Sequence, residues 1–338
     1  MNINNKSILI TGGTGSFGKS FARFILENYK PKKLIIFSRN EFNQFKMRND
    51  NFFIKYHSIM RYFLGDIRDL NRLTTAFKNI DIVVHAAALK HVDVAEYNPF
   101  EFIKTNIEGT KNVIEASIAN KVKKVITLST DKASSPVNLY GATKLCADKM
   151  VIASNIFYGS NQTILSVVRY GNVASSNGSV IPLFTQQYKK NKSITVTDLS
   201  MTRFSIELSK CVKFVDSCIK VMKGSEIFVP KMSSYRLVDL VNSFGKDIKI
   251  NIIGRKYGEK IHEELISENE STNCVCLKDL FVILQNKPNK NLLEYYSRKF
   301  NSKIDNKIKI PFFYSSNSSR EYLTLADIKR LVYESSSE

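Results

Sequence analysis

A short apolar run, Ser7-Ile8-Leu9-Ile10, leads straight into Thr11-Gly12-Gly13-Thr14-Gly15-Ser16-Phe17-Gly18, and Phe21, Phe24, Ile25 and Leu26 follow at helical spacing. No other stretch narrows the fold as far. Glycines at 12, 15 and 18 permit a tight turn and bring backbone N–H groups against a pyrophosphate, while the helix N-terminus adds a favourable dipole. A glycine-rich octet alone is a weak signal. With a strand before it and a helix after it, it predicts an open α/β sheet that takes its ligands at the carboxyl ends of its strands.

The rest of the first half repeats strand and helix in alternation. Leu34–Phe37 reads as a second strand ending in Ser38-Arg39-Asn40. A hydroxyl and a guanidinium at that point suit a 2′-phosphate and so predict NADP, with Glu41 close by and a merely solvated Arg39 as the plainer reading. Tyr62-Phe63-Leu64 leads into Gly65-Asp66-Ile67-Arg68-Asp69. A carboxylate there can accept from an adenine amino group or cap the helix starting near Leu70, and the residues leave both open. Ile82–His85 closes in Ala86-Ala87-Ala88, small enough for a cofactor to lie flat against the backbone. Lys90 and His91 follow in a loop, and a helix from Pro99 to Ala119 is interrupted by Thr105 and Asn106.

Lys124–Leu128 is a further buried strand, ending in Ser129-Thr130-Asp131-Lys132-Ala133. Helical spacing resumes from Tyr140 to Phe157. Tyr140 and Lys144 are four apart and share one helix face. An ammonium beside a phenol favours the phenolate, which makes tyrosine usable in proton transfer. Thr130 can add a hydroxyl to the same oxygen, and Asp131 and Lys132 supply a second acid and base. Tyrosine and lysine four apart occur by chance on many surface helices, so the weight rests on their place after this strand. Ile164–Val168, the next strand, ends in Arg169-Tyr170-Gly171-Asn172-Val173. From about Gly178 the pattern breaks into shorter pieces, and Glu334–Glu338 is expected to fray.

The length of 338 residues allows one large α/β domain with an appended lobe. We expect residues 1–175 to form the dinucleotide domain, with 194–230 returning to it in part, and 176–338 to form a smaller lobe. Fifty Lys+Arg against 31 Asp+Glu give a net charge of +19, but the basic residues are scattered and form no tail, so a nucleic-acid partner is not expected. Cys146, Cys211, Cys218, Cys274 and Cys276 are odd in number and have no spacing for a disulfide framework or a zinc site. No metal is expected. With no apolar run of membrane-spanning length and an N-terminus that enters a strand directly, a soluble cytoplasmic protein is expected.

Taken together, these stretches resemble the extended short-chain dehydrogenase/reductases that act on nucleotide sugars. More narrowly, they resemble the inverting UDP-N-acetylglucosamine 4,6-dehydratases of the pseudaminic-acid-pathway type. The resemblance runs from Ile8 to about Glu264. It is carried by Thr11–Gly18, Ser38-Arg39, His85–Val92, Ala95–Pro99, Lys104–Asn106, Leu128–Ala133, Asn138–Lys144, Val168–Val173 and Met201–Phe204. Thr-Asp-Lys at 130–132 is specific, since related dTDP-glucose dehydratases carry Thr-Asp-Glu.

The resemblance implies a Rossmann-type doubly wound parallel sheet with a smaller C-terminal substrate-binding lobe. It implies tightly bound, recycled NADP held by Gly12, Thr14, Gly15, Ser16, Phe17, Gly18, Ser38, Arg39, Asp66, Ile67, Ala86, Ala88, Lys90, Thr105, Tyr140 and Lys144. A UDP-sugar would meet Lys90, Asn172, Val180, Thr195, Arg203, Lys256 and Glu259. Tyr140, assisted by Thr130, takes the C4 hydroxyl proton as hydride leaves C4. Lys132 then removes the C5 proton, Asp131 protonates the departing C6 hydroxyl, and hydride returns to C6. Reprotonation of C5 from the opposite face gives UDP-2-acetamido-2,6-dideoxy-β-L-arabino-hexos-4-ulose. A lysine serves as base only if its pKa is depressed, and otherwise acts as a fixed charge. A C5-retaining dehydratase, a 4-epimerase and a non-catalytic NADP-binding sensor or scaffold are the alternatives. A homo-oligomer, dimer or hexamer, is expected.

Three departures from the family pattern stand out, one being that the similarity fades beyond about Ser267. Asn40 to Asn43 lack a lysine common near the 2′-phosphate, and Lys256-Tyr257 replaces Arg-Pro ahead of Gly258-Glu259-Lys260.

Overall fold

The computed structural model describes residues 3–158, 163–174, 180–245, 247–318 and 321–336, without the side chains of 334–336. Residue 178, where the alternation was expected to break down, and the last two residues of the tail lie outside them. Six strands come first: β1 Ser7–Thr11, β2 Lys33–Ser38, β3 Met60–Leu64, β4 Ile82–His85, β5 Lys124–Thr130 and β6 Ile164–Tyr170. Shorter ones follow: β7 Asn172–Val173, β8 Ser193–Val196, β9 Thr202–Ile206, β10 Ile227–Pro230, β11 Ser233–Arg236 and β12 Lys249–Ile252. The last are β13 Glu264–Ile266, β14 Cys274–Cys276, β15 Leu280–Ile283 and β16 Tyr314–Ser315.

The main sheet runs β14-β15-β10-β6-β5-β4-β1-β2-β3, and strands β1 to β6 pair in parallel. Strands buried on both faces need unbroken apolar runs, which is why Ile8–Ile10, Leu34–Phe37 and Val125–Leu128 read so clearly. Strand order reverses between β1 and β4. At such a switch point the two flanking connections part and leave a crevice above the strand ends.

The boundary expected at residue 175 is not a clean cut. The helix Leu208–Val221 and strands β10, β14 and β15 extend the main sheet and its core, β15 pairing antiparallel with both neighbours. A second core gathers Ile181, Phe184, Ile194, Val196, Met201, Leu237, Leu240, Val241, Ile328 and Leu331. The lobe is thus built from separated stretches, and the segment from 204 to 230 packs on the sheet while 194–201 does not.

The helix expected over Pro99–Ala119 is broken by a π-helical turn, Ile103–Glu108. Asn106 leaves its own ladder there. It accepts from the Leu89 amide at 2.9 Å and donates to the Leu89 carbonyl and the Thr143 hydroxyl. The loop after β4 is thereby tied to the helix bearing Tyr140. Inserted π turns of this kind recur at functional sites.

Candidate active site

A cleft of about 880 Å³ lies over the carboxyl ends of β1, β4, β5 and β6, between the sheet and the lobe. Its cofactor side is built from the first turn. Gly12 takes φ +64°, and a Cβ there would stand 2.9 Å from the backbone of Ala87, so glycine is required. The helix Ser16–Asn28 has Gly15 at its N-cap and no side-chain cap, which leaves its first amides facing the cleft. The Thr105 hydroxyl is buried beside the cleft with no hydrogen-bond partner among the described residues. A glycine cradle, uncapped amides and a stranded hydroxyl fit a dinucleotide.

Thr14, Gly15, Ser16, Phe17, Gly18, Ser38, Arg39, Asp66, Ile67, Ala86, Ala88, Lys90 and Lys144 line the same cleft. The two readings of the Gly65–Asp69 stretch divide between its carboxylates. Asp69 caps the next helix by accepting from the Arg72 amide, while Asp66 faces the cleft, bound by Arg68 at 2.8 Å.

The chemistry gathers at the end of β5. Asp131 is wholly buried, and its neighbour Lys132 reaches back so that Nζ donates to Asp131 Oδ1 at 3.1 Å. On its other side Nζ lies 3.2 Å from Glu263, a carboxylate 4% exposed that sequence reasoning did not single out. Burial works to depress Lys132, but Asp131 and Glu263 outweigh it, so the lysine is raised and held as an ammonium. Burial pushes the Asp131 carboxyl up. Glu263 is lowered: burial opposes its charge, but Lys132, Arg203 and Lys260 prevail. Asp131 Oδ2 and Glu263 Oε2 are buried without a hydrogen bond among the described residues.

Tyr140 differs from expectation. Burial pushes its phenol up to about 12, with Lys132 and the hydrogen bond it shares with Thr130 acting the other way. Lys144, expected to lower it, donates instead to the Leu128 carbonyl at 2.8 Å. Burial depresses Lys144, and Asp148 works against that. Thr130 donates onward to Asp131 Oδ1 at 2.9 Å, so phenol, hydroxyl and carboxyl form one chain.

On the substrate side Asn172, Val180, Arg203 and Glu259 reach the cleft. Arg203 also donates to the carbonyls of Thr202 and Ile261, at 2.8 and 2.9 Å. Two expected contacts are elsewhere. Thr195 sits in the β8–β12 ladder with its amide bound to Gln187, and it does not line the cleft. Lys256 is turned to Asp93 at the cleft rim, 2.7 Å away. The stretch Ile261-His262-Glu263-Glu264 carried the only sequence signal for Glu263, and its apolar-then-acidic pattern does not distinguish a site carboxylate from a surface one.

Among the described residues no cluster of His, Cys, Asp or Glu could hold a metal ion, and no helix is long and apolar enough to cross a membrane. His85, the buried histidine, lies 2.7 Å from Thr11 and 3.1 Å from Thr110, and burial pushes it down to about 3, so it is neutral.

Residues 8–285 match the family of polysaccharide biosynthesis proteins. The inverting UDP-N-acetylglucosamine 4,6-dehydratase of Campylobacter jejuni is 46% identical over 97% of this chain and 98% of its own. A UDP-glucose 4-epimerase of Rickettsia canadensis is 37% identical over 97% of this chain and 95% of its own. The X-ray structure of Pen from Bacillus thuringiensis superposes with a TM-score of 0.87 at 41% identity, covering 99% of this chain and all of that one.

The expectation of NADP is overturned. DesIV, a dTDP-glucose 4,6-dehydratase from Streptomyces venezuelae (TM-score 0.68, 19% identity, 86% of this chain and 97% of its own), was solved with NAD bound, as were other structures of this fold. The groups expected to hold a 2′-phosphate are also engaged. The Ser38 hydroxyl accepts from Gln44 at 3.0 Å, and Arg39 lies 4.0 Å from the Asp66 carboxylate, which offsets its charge. With near full-length identity to a dehydratase, and with Thr130, Lys132, Tyr140 and Lys144 lining one cleft beside the buried Asp131, the chain belongs to the inverting UDP-N-acetylglucosamine 4,6-dehydratases of the polysaccharide-biosynthesis family.

Proposed function

We propose that this enzyme dehydrates UDP-N-acetylglucosamine across C5–C6 with inversion at C5, using the residues at the end of β5 in the roles that follow. The observation carrying the assignment is a buried acid, Asp131, and a lysine, Lys132, hydrogen-bonded to each other beside Tyr140. NAD, when bound, supplies a hydride acceptor at C4 and a donor at C6. Gly12, Thr14, Gly15, Ser16, Phe17 and Gly18 would hold its pyrophosphate, with Asp66 and Ile67 toward the adenosine and Thr105, Tyr140 and Lys144 toward the nicotinamide end.

Tyr140 receives the C4 hydroxyl proton. Because Thr130 donates to Asp131, it can only accept from Tyr140, so the phenol proton passes through Thr130 to Asp131. Asp131 then has the proton that the C6 hydroxyl needs to leave as water. The proton lost at C4 is the one that departs in that water, and burial of Asp131 favours its neutral form in between. Lys132 is the base at C5, whose proton the new C4 ketone acidifies, and the elimination forms the C5=C6 bond. The protein thus runs general acid and base chemistry on adjacent residues with opposite charge preferences.

Epimerisation is the second reading, favoured by the likeness to the Rickettsia enzyme. It needs no acid or base beyond C4, and so leaves Asp131, Lys132 and Glu263 without a task. The five cysteines are free thiols, which supports a reducing cytoplasmic setting. Exposed Val94, Tyr97 and Phe100 support a homo-oligomer.

Proton NMR of UDP-N-acetylglucosamine with the purified protein in D2O, without added cofactor, tests the reading. A C6 methyl signal, deuterium at C5 and L-configured ring couplings are expected. D-configured couplings would discard inversion, and inversion at C4 without a methyl signal would establish the epimerase.

A further inference from the structure

Lys132 presents a difficulty that the cleft itself answers. As it stands the lysine is an ammonium, and an ammonium cannot remove a proton from C5. Its proton has two carboxylates within reach, Asp131 at 3.1 Å and Glu263 at 3.2 Å. Once the chain from Tyr140 and Thr130 has delivered the C4 proton to Asp131, that carboxyl is full. Glu263 remains.

We infer that Glu263 acts through Lys132 as its proton partner, taking the ammonium proton after C4 oxidation and so freeing the amine that attacks C5–H. The inference rests on the reaction proposed above. Four features of the geometry carry it. Glu263 lines the cleft and is 4% exposed, so its charge is shielded from water. Its backbone is fixed, the amide donating to the Ser316 hydroxyl at 2.9 Å. One oxygen faces Lys132, and the other is buried with no hydrogen bond among the described residues and so has capacity to spare. The stretch after it is pinned to the β5 end, because Ser134 and Ser135 both donate to Glu264, at 2.6 and 2.7 Å.

The protons balance over a turnover. At rest Asp131 and Glu263 are carboxylates and Lys132 an ammonium. The C4 proton moves to Asp131, and the Lys132 proton moves to Glu263. The amine takes the C5 proton and Asp131 protonates the leaving hydroxyl, so Asp131 and Lys132 regain their resting forms. Glu263 keeps one proton, equal in number to the one that must be restored to C5. Cleavage of C5–H and C6–O, formation of C5=C6 and the release of water are all accounted for.

The charged and titratable groups facing this pair are Asp131, Tyr140, Arg203, Tyr235 and Lys260. Arg203 and Lys260 keep Glu263 ionised at rest, ready to accept.

Glu263→Gln and Glu263→Asp test this on the holoenzyme. Single-turnover absorbance of reduced nicotinamide reads C4 oxidation, and deuterium uptake at C5 reads Lys132. Glu263→Gln is expected to keep C4 oxidation and the KM for UDP-N-acetylglucosamine within a few-fold. Its C5 exchange and kcat should fall by on the order of 10²-fold or more. Exchange should then recover toward alkaline pH, where Lys132 loses its proton to solvent. Glu263→Asp, which still accepts a proton, should restore part of the neutral-pH rate. Wild-type C5 exchange in Glu263→Gln, or a uniform loss with no alkaline recovery and no rescue by aspartate, overturns the inference. If wild type itself gives no methyl product, the proposed reaction fails instead, which is a separate outcome.

Discussion

Replacing Lys132 by alanine removes the cation seated between two buried carboxylates, Asp131 and Glu263, and the consequences for stability and chemistry can be worked out separately. Nζ stands 3.1 Å from Asp131 and 3.2 Å from Glu263, whose side chains are 0% and 4% exposed. At an effective dielectric constant of about 20, each contact is worth roughly 5 kcal/mol before desolvation is subtracted. Desolvation takes back much of that, and breaking a buried pair by deleting one partner costs about 3–5 kcal/mol net.

Lys132→Ala should therefore melt several degrees below wild type at neutral pH. The loss should depend on pH in a set direction. Asp131 is already raised by burial while Lys132 helps hold Glu263 down, so without the lysine both carboxylates should rise. A carboxylate whose folded pKa exceeds its unfolded value contributes stability below the unfolded pKa and loses it as pH rises through the folded one. The gap to wild type should thus narrow from neutral toward acid pH. Chemically, the variant should still oxidise C4 yet form product slower by about 10²–10⁴-fold. Melting curves between acid and neutral pH, with the methyl NMR assay, check both parts. Normal turnover would remove Lys132 from the mechanism, and a melting deficit that ignores pH would refute its electrostatic origin.

Two further substitutions probe the frame around the site. Gly12→Ala places a Cβ at φ +64° and 2.9 Å from the Ala87 backbone, so the first turn must shift. The left-handed conformation alone costs about 1–2 kcal/mol, and NAD titration should show a loss of affinity of at least about tenfold; unchanged binding would mean the turn does not cradle the pyrophosphate. Arg169 is fully buried between Asp148 and Glu270, at 3.2 and 2.9 Å. Arg169→Met should cost about 3–5 kcal/mol, and adding Asp148→Asn should recover part of it by removing a stranded charge; equal melting of the single and double variants would contradict that account.

The legible parts of this chain are those that local pattern dictates. Parallel strands buried on both faces must be continuous apolar runs, and the first turn needs glycine for reasons of space, so β1 to β6 and the cofactor cradle could be read directly. Strands β10, β14 and β15 are short and take their places in the sheet by pairing with partners distant in sequence, which no local period records. The Tyr140–Lys144 spacing puts both residues on one helix face, and both line the cleft, but spacing does not fix where a flexible ammonium points, and the Leu128 carbonyl captured it.

Lys132 shows the same limit at the level of charge. Its identity as a basic group in the site was readable, whereas its protonation state depends on Glu263, which the return of the chain through β9 and the loop before β13 brings alongside. A lysine flanked by one acid in sequence is flanked by two in space, and Asp131 and Glu263 together outweigh the burial that would depress its pKa. The mechanism therefore cannot begin from a neutral lysine. It has to include a step that discharges it, and the order of events follows: C4 oxidation fills Asp131 first, Glu263 then relieves Lys132, and only after that can C5 be deprotonated. A base that becomes competent only once the ketone exists would not attack an unactivated C5–H.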